Sequence, residues 1–275
     1  MSSGLNSNLP VYGNYHSYYS KRPFASDSRL SALPEDLFRG ATVLDIGCNE
    51  GWVTCEIAQS HGASRVIGVD IDGSLISAAW KRRRVVWSSQ GPDTSRDQST
   101  KRKRASESDP FNGSTPIPDY FPESLALTFG HLPIPPSTQE TQDKFPHNLT
   151  FRTADWPNQS IPEDDAGYDI VVAFSLSKWI HIHNGDEGLI KFFERIYAVL
   201  RPGGSFVLEP QSWESYAKAK RMDTVLKEKA NGLKLRPENF QTILEGVGFI
   251  LDQSTGPVGE GGFQRSIDLY KKCRT

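Results

Sequence analysis

The chain has 275 residues and a formal net charge of −2. That length buries one substantial core, so a single α/β domain over about 11–275 fits better than two equal domains, and the near-neutral balance excludes a globally basic nucleic-acid binder: any such contact must come from local clusters of Lys and Arg. The three cysteines, Cys48, Cys55 and Cys273, lack C-x-x-C spacing, and neither an apolar leader nor a run of about 18 apolar residues occurs, so a soluble intracellular protein without disulfides, zinc or membrane contact is expected.

Residues 1–10 are small and polar and are expected to be disordered. Gly13 to Arg22 then packs Tyr15, Tyr18 and Tyr19 among polar residues, Lys21 and Arg22, with Arg29 soon after. This is too polar for a core strand and too aromatic for a mere tail. Thr42 to Gly47 reads as a buried strand entering a tight turn, Trp52 to Ser60 as the helix leaving it, and Arg65 to Asp70 as a second strand one helix length on, the βαβ rhythm of a parallel sheet. A helix from about Gly73 to Val86 carries the basic run Lys81 to Arg84.

Between about Ser88 and Pro146 no apolar periodicity is sustained, and Ser, Asp, Thr, Pro and Lys crowd together, which predicts a largely disordered insertion. Lys101 to Arg104 inside it reads as a nuclear-import signal or electrostatic arm, or equally as a solvated charge run. Strands resume at Leu149 to Thr153 and Tyr168 to Phe174. Gly188 to Leu200 has helical spacing and stops at Arg201-Pro202-Gly203-Gly204. A strand over Ser205 to Glu209, helices over Trp213 to about Lys229 and Pro237 to Glu245, and strands near Phe249 to Asp252 and Ile267 to Lys271 complete a doubly wound, mostly parallel sheet. In such a Rossmann-like sheet ligands sit beyond the carboxyl ends of the strands.

Asp45-Ile46-Gly47-Cys48-Asn49-Glu50-Gly51 joins a strand to a helix through two glycines. Gly47 permits an unusual turn and Gly51 lets the helix start close to the strand. The G-x-G-x-x-G dinucleotide fingerprint is absent. The D-x-G-x-x-x-G form resembles the first motif of class I methyltransferases, whose turn supports the methionine and ribose parts of S-adenosyl-L-methionine, which makes Asp45, Gly47, Cys48, Asn49 and Gly51 candidate cofactor residues. Asp70, ending the second strand, fits a ribose-diol acceptor, or else a helix cap or turn residue; Ile71 would lie against the adenine. Asp155, with Trp156 beside it, is placed like the acidic residue that receives the adenine amino group in this class, or else is a helix cap or turn residue. Phe174, ending the fourth strand, either faces the sulfonium with an aromatic surface suited to a cation or simply packs in the core.

The acceptor must be read from residues around the methyl position. The D/N-P-P-Y/F motif of adenine-N6 methyltransferases is missing after the fourth strand, where Ser175-Leu176-Ser177-Lys178-Trp179-Ile180-His181 stands instead. Together with Asn14-Tyr15 and Tyr18-Tyr19, the Asp45 motif, Gly68-Val69-Asp70-Ile71-Asp72, Gly185-Asp186-Glu187-Gly188, Leu200 to Gly204, Leu208-Glu209-Pro210-Gln211 and Gly262-Phe263-Gln264-Arg265, this segment closely resembles the Bicoid-interacting-protein family of RNA methyltransferases. The resemblance runs from about Tyr12 to Lys272, broken by the insertion, and the Lys-Trp and Gly-Phe-Gln-Arg motifs are its specific part.

The resemblance implies O-methylation of the terminal γ-phosphate of a small non-coding RNA in the nucleus, with the cytoplasm also allowed, by a monomer that can meet ribonucleoprotein proteins. It implies that Tyr18, Arg29, Gly47, Cys48, Asn49, Asp70, Ile71, Asp155, Trp156 and Phe174 surround the cofactor, and that Tyr18, Arg22, Lys178 and Arg265 surround the phosphate. Lys21 departs from the pattern, since an aromatic residue stands before the arginine in the capping members, which leaves the stacking of the first nucleotide open. Lys178 alone could also be a surface lysine on a turn. His181 and His183, two apart with no third ligand, suggest a structural or RNA-contacting role rather than a metal. A 5′-monophosphate acceptor, an RNA-stabilising protein with weak catalysis, and a small-molecule or protein methyltransferase are the alternatives.

Overall fold

The computed structural model describes residues 12–13, 26–89, 127–259 and 264–273. Five apolar runs become parallel neighbours: β1 (Thr42–Ile46) lies between β2 (Arg65–Asp70) and β4 (Tyr168–Phe174), with β3 (Leu149–Thr153) beyond β2 and β5 (Leu200–Glu209) beyond β4. β6 (Phe249–Ser254) forms the far edge, and β7 (Asp268–Lys272) inserts antiparallel between β5 and β6. The order is β3-β2-β1-β4-β5-β7-β6.

Apolar side chains leave both faces of the central strands, so both faces must be covered. Val43, Val66, Ile170 and Val172 pack with α1 (Ser28–Ser31), α2 (Trp52–Ser60) and α3 (Gly73–Ser89). Leu44, Ile67, Val171 and Phe206 pack with α4 (Ser177–Val199) and α7 (Phe240–Val247). A third cluster, built on Trp179, Ile182, Tyr216 and Leu226, joins the start of α4 to α5 (Trp213–Lys220) and α6 (Thr224–Asn231).

Three elements differ from the reading of the sequence. The helix expected from Gly188 begins at Ser177 and bends at Gly185, where φ is 72° and ψ −175°. Its first turns look irregular in sequence because Lys178 and His181 interrupt the apolar spacing, yet both are buried. The helix expected from Trp213 to Lys229 is two, because Asp223 caps α6 by accepting from the Val225 and Leu226 amides at 2.7 and 3.2 Å. Arg201-Pro202-Gly203-Gly204 is an irregularity inside β5 rather than a turn before it: Leu200 already pairs with Tyr168, and the ladder resumes at Ser205 opposite Ile170.

The basic run on α3 has structural partners. The Arg82 guanidinium lies 3.1 Å from the centroid of the Trp52 ring, Arg83 Nε donates to the Pro146 carbonyl at 2.7 Å, and Arg84 donates to the carbonyls of His131 and Leu132 at 3.0 and 3.3 Å. The insertion expected from about Ser88 thus leaves after Ser89, and its returning limb over 131–146 is fastened along α3. Lys101 to Arg104 lie outside the described residues. Among those described, no helix is long and apolar enough to cross a membrane.

Candidate active site

The turn after β1 is built by its residue types. Gly47, with φ at +74°, lets its own amide and that of Cys48 donate to the Val69 carbonyl at 2.8 and 3.1 Å, folding the chain across the end of β2. Asn49 takes φ of 51°, a region asparagine tolerates better than most, and its amide donates to Asp70 Oδ2 at 2.9 Å. A Cβ on Gly51, whose φ is +75°, would stand 2.7 Å from the Phe151 ring, so only glycine lets α2 start this close to β3. Cys48 is buried, which pushes its thiol well above the ordinary range.

Asp45 supports the turn from below. At 3 % exposure it lies beneath the turn, accepting from Thr54 Oγ1 at 2.7 Å. Burial pushes its pKa up to about 6 against the pull of Thr54 and Arg29. It braces α2 on β1 through Thr54. Trp156 is likewise buried: it is 1 % exposed in the core, its indole donates to Asp164 Oδ1 at 3.1 Å, and Arg195 covers its ring at 4.3 Å.

Asp70 remains suited to a ligand. Oδ2 holds the Asn49 amide and Oδ1 the Asp72 amide at 3.0 Å; an ionised carboxylate has roughly four lone-pair sites, so acceptor capacity for a diol is left. Burial raises its pKa. Ile71 beside it is 39 % exposed, and Asp155, half-buried, holds Asn158 Nδ2 at 2.8 Å.

At the carboxyl end of β4 the second half of the site assembles. The Arg29 guanidinium lies 4.5 Å from the centroid of the Phe174 ring. It donates to both Asp27 oxygens at 2.9 and 2.7 Å and to Glu209 Oε2 at 3.2 Å. Buried there, Arg29 supports the wall rather than presenting an open cation. Ser175 Oγ donates to Glu209 Oε2 at 2.6 Å and accepts from Arg265 NH1. Gln211 grips the start of α4: its Oε1 accepts from Ser177 Oγ at 3.1 Å and the Lys178 amide at 3.0 Å, and its Nε2 donates to the Ser175 carbonyl.

Lys178 is no surface lysine on a turn. It sits in the first turn of α4 at 8 % exposure, with its ammonium 4.7 Å from the centroid of the Trp179 ring. Among the described residues no carboxylate forms an ion pair with it. Burial first, then the positive charges of Arg265 and Lys218, bring its pKa down to about 8. His181 is structural: Nδ1 meets Tyr216 OH at 3.1 Å and Nε2 meets Asp186 Oδ1 at 2.8 Å. No metal-holding group of three His, Cys, Asp or Glu side chains occurs among the described residues.

Tyr18 and Arg22, with Tyr15, Tyr19, Lys21, Gly262 and Phe263, lie outside the described residues. Tyr12 and Gly13 lead toward the N-terminal cluster. Tyr12 stacks on His183 with centroids 4.6 Å apart, and a Cβ on Gly13 would overlap the Trp179 indole at 2.2 Å. Sequence reasoning gave no role to Ser175, Glu209 or Gln211. The available signal was a carboxylate closing the apolar run of β5, with Gln211 two residues on.

A family model described as Bicoid-interacting protein 3 (Bin3) matches residues 168–272. The human protein named 7SK snRNA methylphosphate capping enzyme is 36 % identical over 289 aligned positions, which cover 96 % of this chain and 40 % of that one. The present chain therefore spans about two fifths of that relative's length. An Arabidopsis thaliana protein named "Probable RNA methyltransferase" is 34 % identical, covering 97 % of this chain and 82 % of its own. Among solved structures, a SAM-dependent methyltransferase from Methanosarcina mazei matches with a TM-score of 0.50 at 16 % identity, over 89 % of this chain and 96 % of that one. The fold is that of the class I methyltransferases.

Proposed function

Because the chain belongs to the Bicoid-interacting protein 3 family, we propose that it is an S-adenosyl-L-methionine-dependent methyltransferase that O-methylates the 5′-terminal γ-phosphate of a small non-coding RNA in the nucleus, working as a monomer beside the RNA's other protein partners. The observation that carries the acceptor is Lys178: a buried ammonium without a carboxylate partner among the described residues, at the strand end where this fold presents its acceptor, with Arg265 near enough to lower its pKa. A buried cation left without a counter-ion is costly, and an anionic ligand offsets that cost.

The cofactor fits the residues present. Asp70 keeps acceptor capacity for the ribose diol, exposed Ile71 offers an apolar face for the adenine, and Phe174 provides an aromatic wall for a sulfonium. When bound, the cofactor supplies an electrophilic methyl group. The acceptor oxygen of a phosphate is already anionic near neutral pH, so no general base is required of the protein. Lys178 serves as a compact point charge and Arg265 as a planar fork, and together they hold the oxygen in line for transfer. Tyr18 and Arg22 are assigned to the same phosphate on the family motif.

Incubation with labelled cofactor and RNAs bearing a 5′-triphosphate, monophosphate or hydroxyl end tests this. Label is expected on the triphosphate RNA and absent from the hydroxyl RNA. Transfer to the monophosphate RNA alone would move the assignment to that end, and transfer to hydroxyl RNA would overturn the phosphate acceptor.

A further inference from the structure

Glu209 closes β5 with a carboxylate that is 1 % exposed. Buried charge must be paired to be tolerated, and the pairing here is one-sided. Oε2 receives Ser175 Oγ at 2.6 Å and Arg29 NH1 at 3.2 Å. Oε1 is buried without a hydrogen bond among the described residues and lies 3.9 Å from Arg265 NH1. Arg265 NH1 donates instead to Ser175 Oγ, so the serine hydroxyl stands between guanidinium and carboxylate.

Ser175 is an unusual place for such a relay. Its φ of 56° lies in the left-handed region, which is costly for a residue with a side chain and persists where the surroundings over-determine it. The surroundings do so through β5. Besides the hydroxyl, the Ser175 amide donates to the Glu209 carbonyl at 3.3 Å, and the Ser175 carbonyl receives Gln211 Nε2. Both ends of Glu209, backbone and carboxylate, therefore hold the residue that contacts Arg265.

We propose that Glu209 is a positioning residue for the phosphate acceptor: through Ser175 it presets the Arg265 fork, and through Arg29 it ties that setting to the Phe174 wall on the cofactor side. The proposal rests on Arg265 being a phosphate anchor, as assigned above. Bidentate recognition of phosphate by a guanidinium loses least entropy when the plane is fixed beforehand, which a buried carboxylate behind the fork, in contact mainly through a serine hydroxyl, can do.

Glu209→Gln keeps the shape and removes the charge. In the full chain, kcat/KM for 5′-triphosphate RNA is expected to fall about tenfold or more, while the dissociation constant for S-adenosylmethionine, measured by calorimetry, changes by less than about threefold, because Arg29 keeps both Asp27 oxygens. Ser175→Ala, which leaves the Glu209–Arg29 contact in place, should give the same split and serves if Glu209→Gln does not fold. In an Arg265→Ala background, Glu209→Gln or Ser175→Ala should cost nothing further, since the residue they act through is gone. Fully additive losses, or wild-type kcat/KM in a folded single variant, would overturn the positioning role. Wild-type protein that methylates no 5′-phosphate RNA would overturn the phosphate reading itself, so the two failures are distinguishable.

Discussion

At the scale of single residues, the proposed phosphate role of Lys178 makes its protonation act on fold and function in opposite directions. Its pKa falls from the ordinary lysine value to about 8, with burial as the largest cause. Between about pH 8 and the unfolded value near 10.4 the folded chain binds fewer protons than the unfolded one, so this group's contribution to stability rises with pH across that window. On the proposed role of Lys178, phosphate binding needs the ammonium, so activity should move the other way: kcat/KM for triphosphate RNA is expected to fall along an alkaline limb centred near pH 8, while S-adenosylmethionine affinity stays level through it. Lys178→Arg, charged throughout, should lose that limb and still turn over more slowly, because a planar fork does not replace a point charge. A wild-type profile flat from about pH 7 to 9.5 would remove the lysine from the phosphate. The sequence marked Lys178 by its neighbours but carried no sign of its burial, and Glu209 reads in sequence as an ordinary polar end to a strand. Both depend on β5 meeting the β4–α4 junction, which spacing along the chain does not encode.

At the scale of elements, α4 depends on one carboxylate. Asp186, just past the bend at Gly185, accepts from His181 Nε2 at 2.8 Å and from the amides of Lys234 and Leu235 at 2.9 and 3.2 Å, and so ties the first half of α4 to the segment after α6. His181 in turn meets Tyr216 of α5. Asp186→Ala would leave a buried imidazole nitrogen and two amides without this acceptor, and about 2–4 kcal/mol of stability is expected to be lost. Thermal melting checks this: with one kilocalorie worth roughly 2–4 °C at this chain size, a fall of several degrees is expected, and a wild-type melting temperature would show that the network contributes little. Burial lowers the pKa of His181, so the folded state resists its protonation, and its contribution is lost as pH drops below about 6.5. The histidine pair was visible in sequence as two residues with no third ligand. Its division into a buried bridge at His181 and a ring stacked on Tyr12 at His183 was not, because Tyr216 and Tyr12 lie far away along the chain.

At the scale of the whole molecule, the alternation of apolar runs from Thr42 to Glu209 was enough to lay out the parallel strands, because the central runs are mostly apolar and send buried side chains to both faces of the sheet. The antiparallel insertion of β7 between β5 and β6 was not readable, since Phe249–Ser254 and Asp268–Lys272 carry no mark of which pairs with β5. The stretch between α3 and β3 was read as one polar insertion of about 88–146, because periodicity cannot register carbonyl oxygens. Pro146, His131 and Leu132 hold Arg83 and Arg84 through their main chain, while Phe145 packs on the core and the Lys144 carbonyl receives the amides of His147 and Asn148. Two deletions separate the parts of this stretch. Replacing 90–126 with a flexible linker of roughly ten residues removes no contact named here and is expected to leave the melting temperature and methyl transfer near wild type. Extending the deletion to Lys144 also removes the acceptors of Arg84 and the turn that leads into β3, and leaves a guanidinium on α3 without them; a loss of about 1–3 kcal/mol is expected. RNA affinity is a separate reading, since both deletions remove Lys101 to Arg104, and any electrostatic contribution of that run should fall equally in both and shrink with added salt. Equal melting temperatures for the two deletions would show that the returning limb contributes nothing to the domain, whereas a large loss in the shorter one would place structural contacts within 90–126.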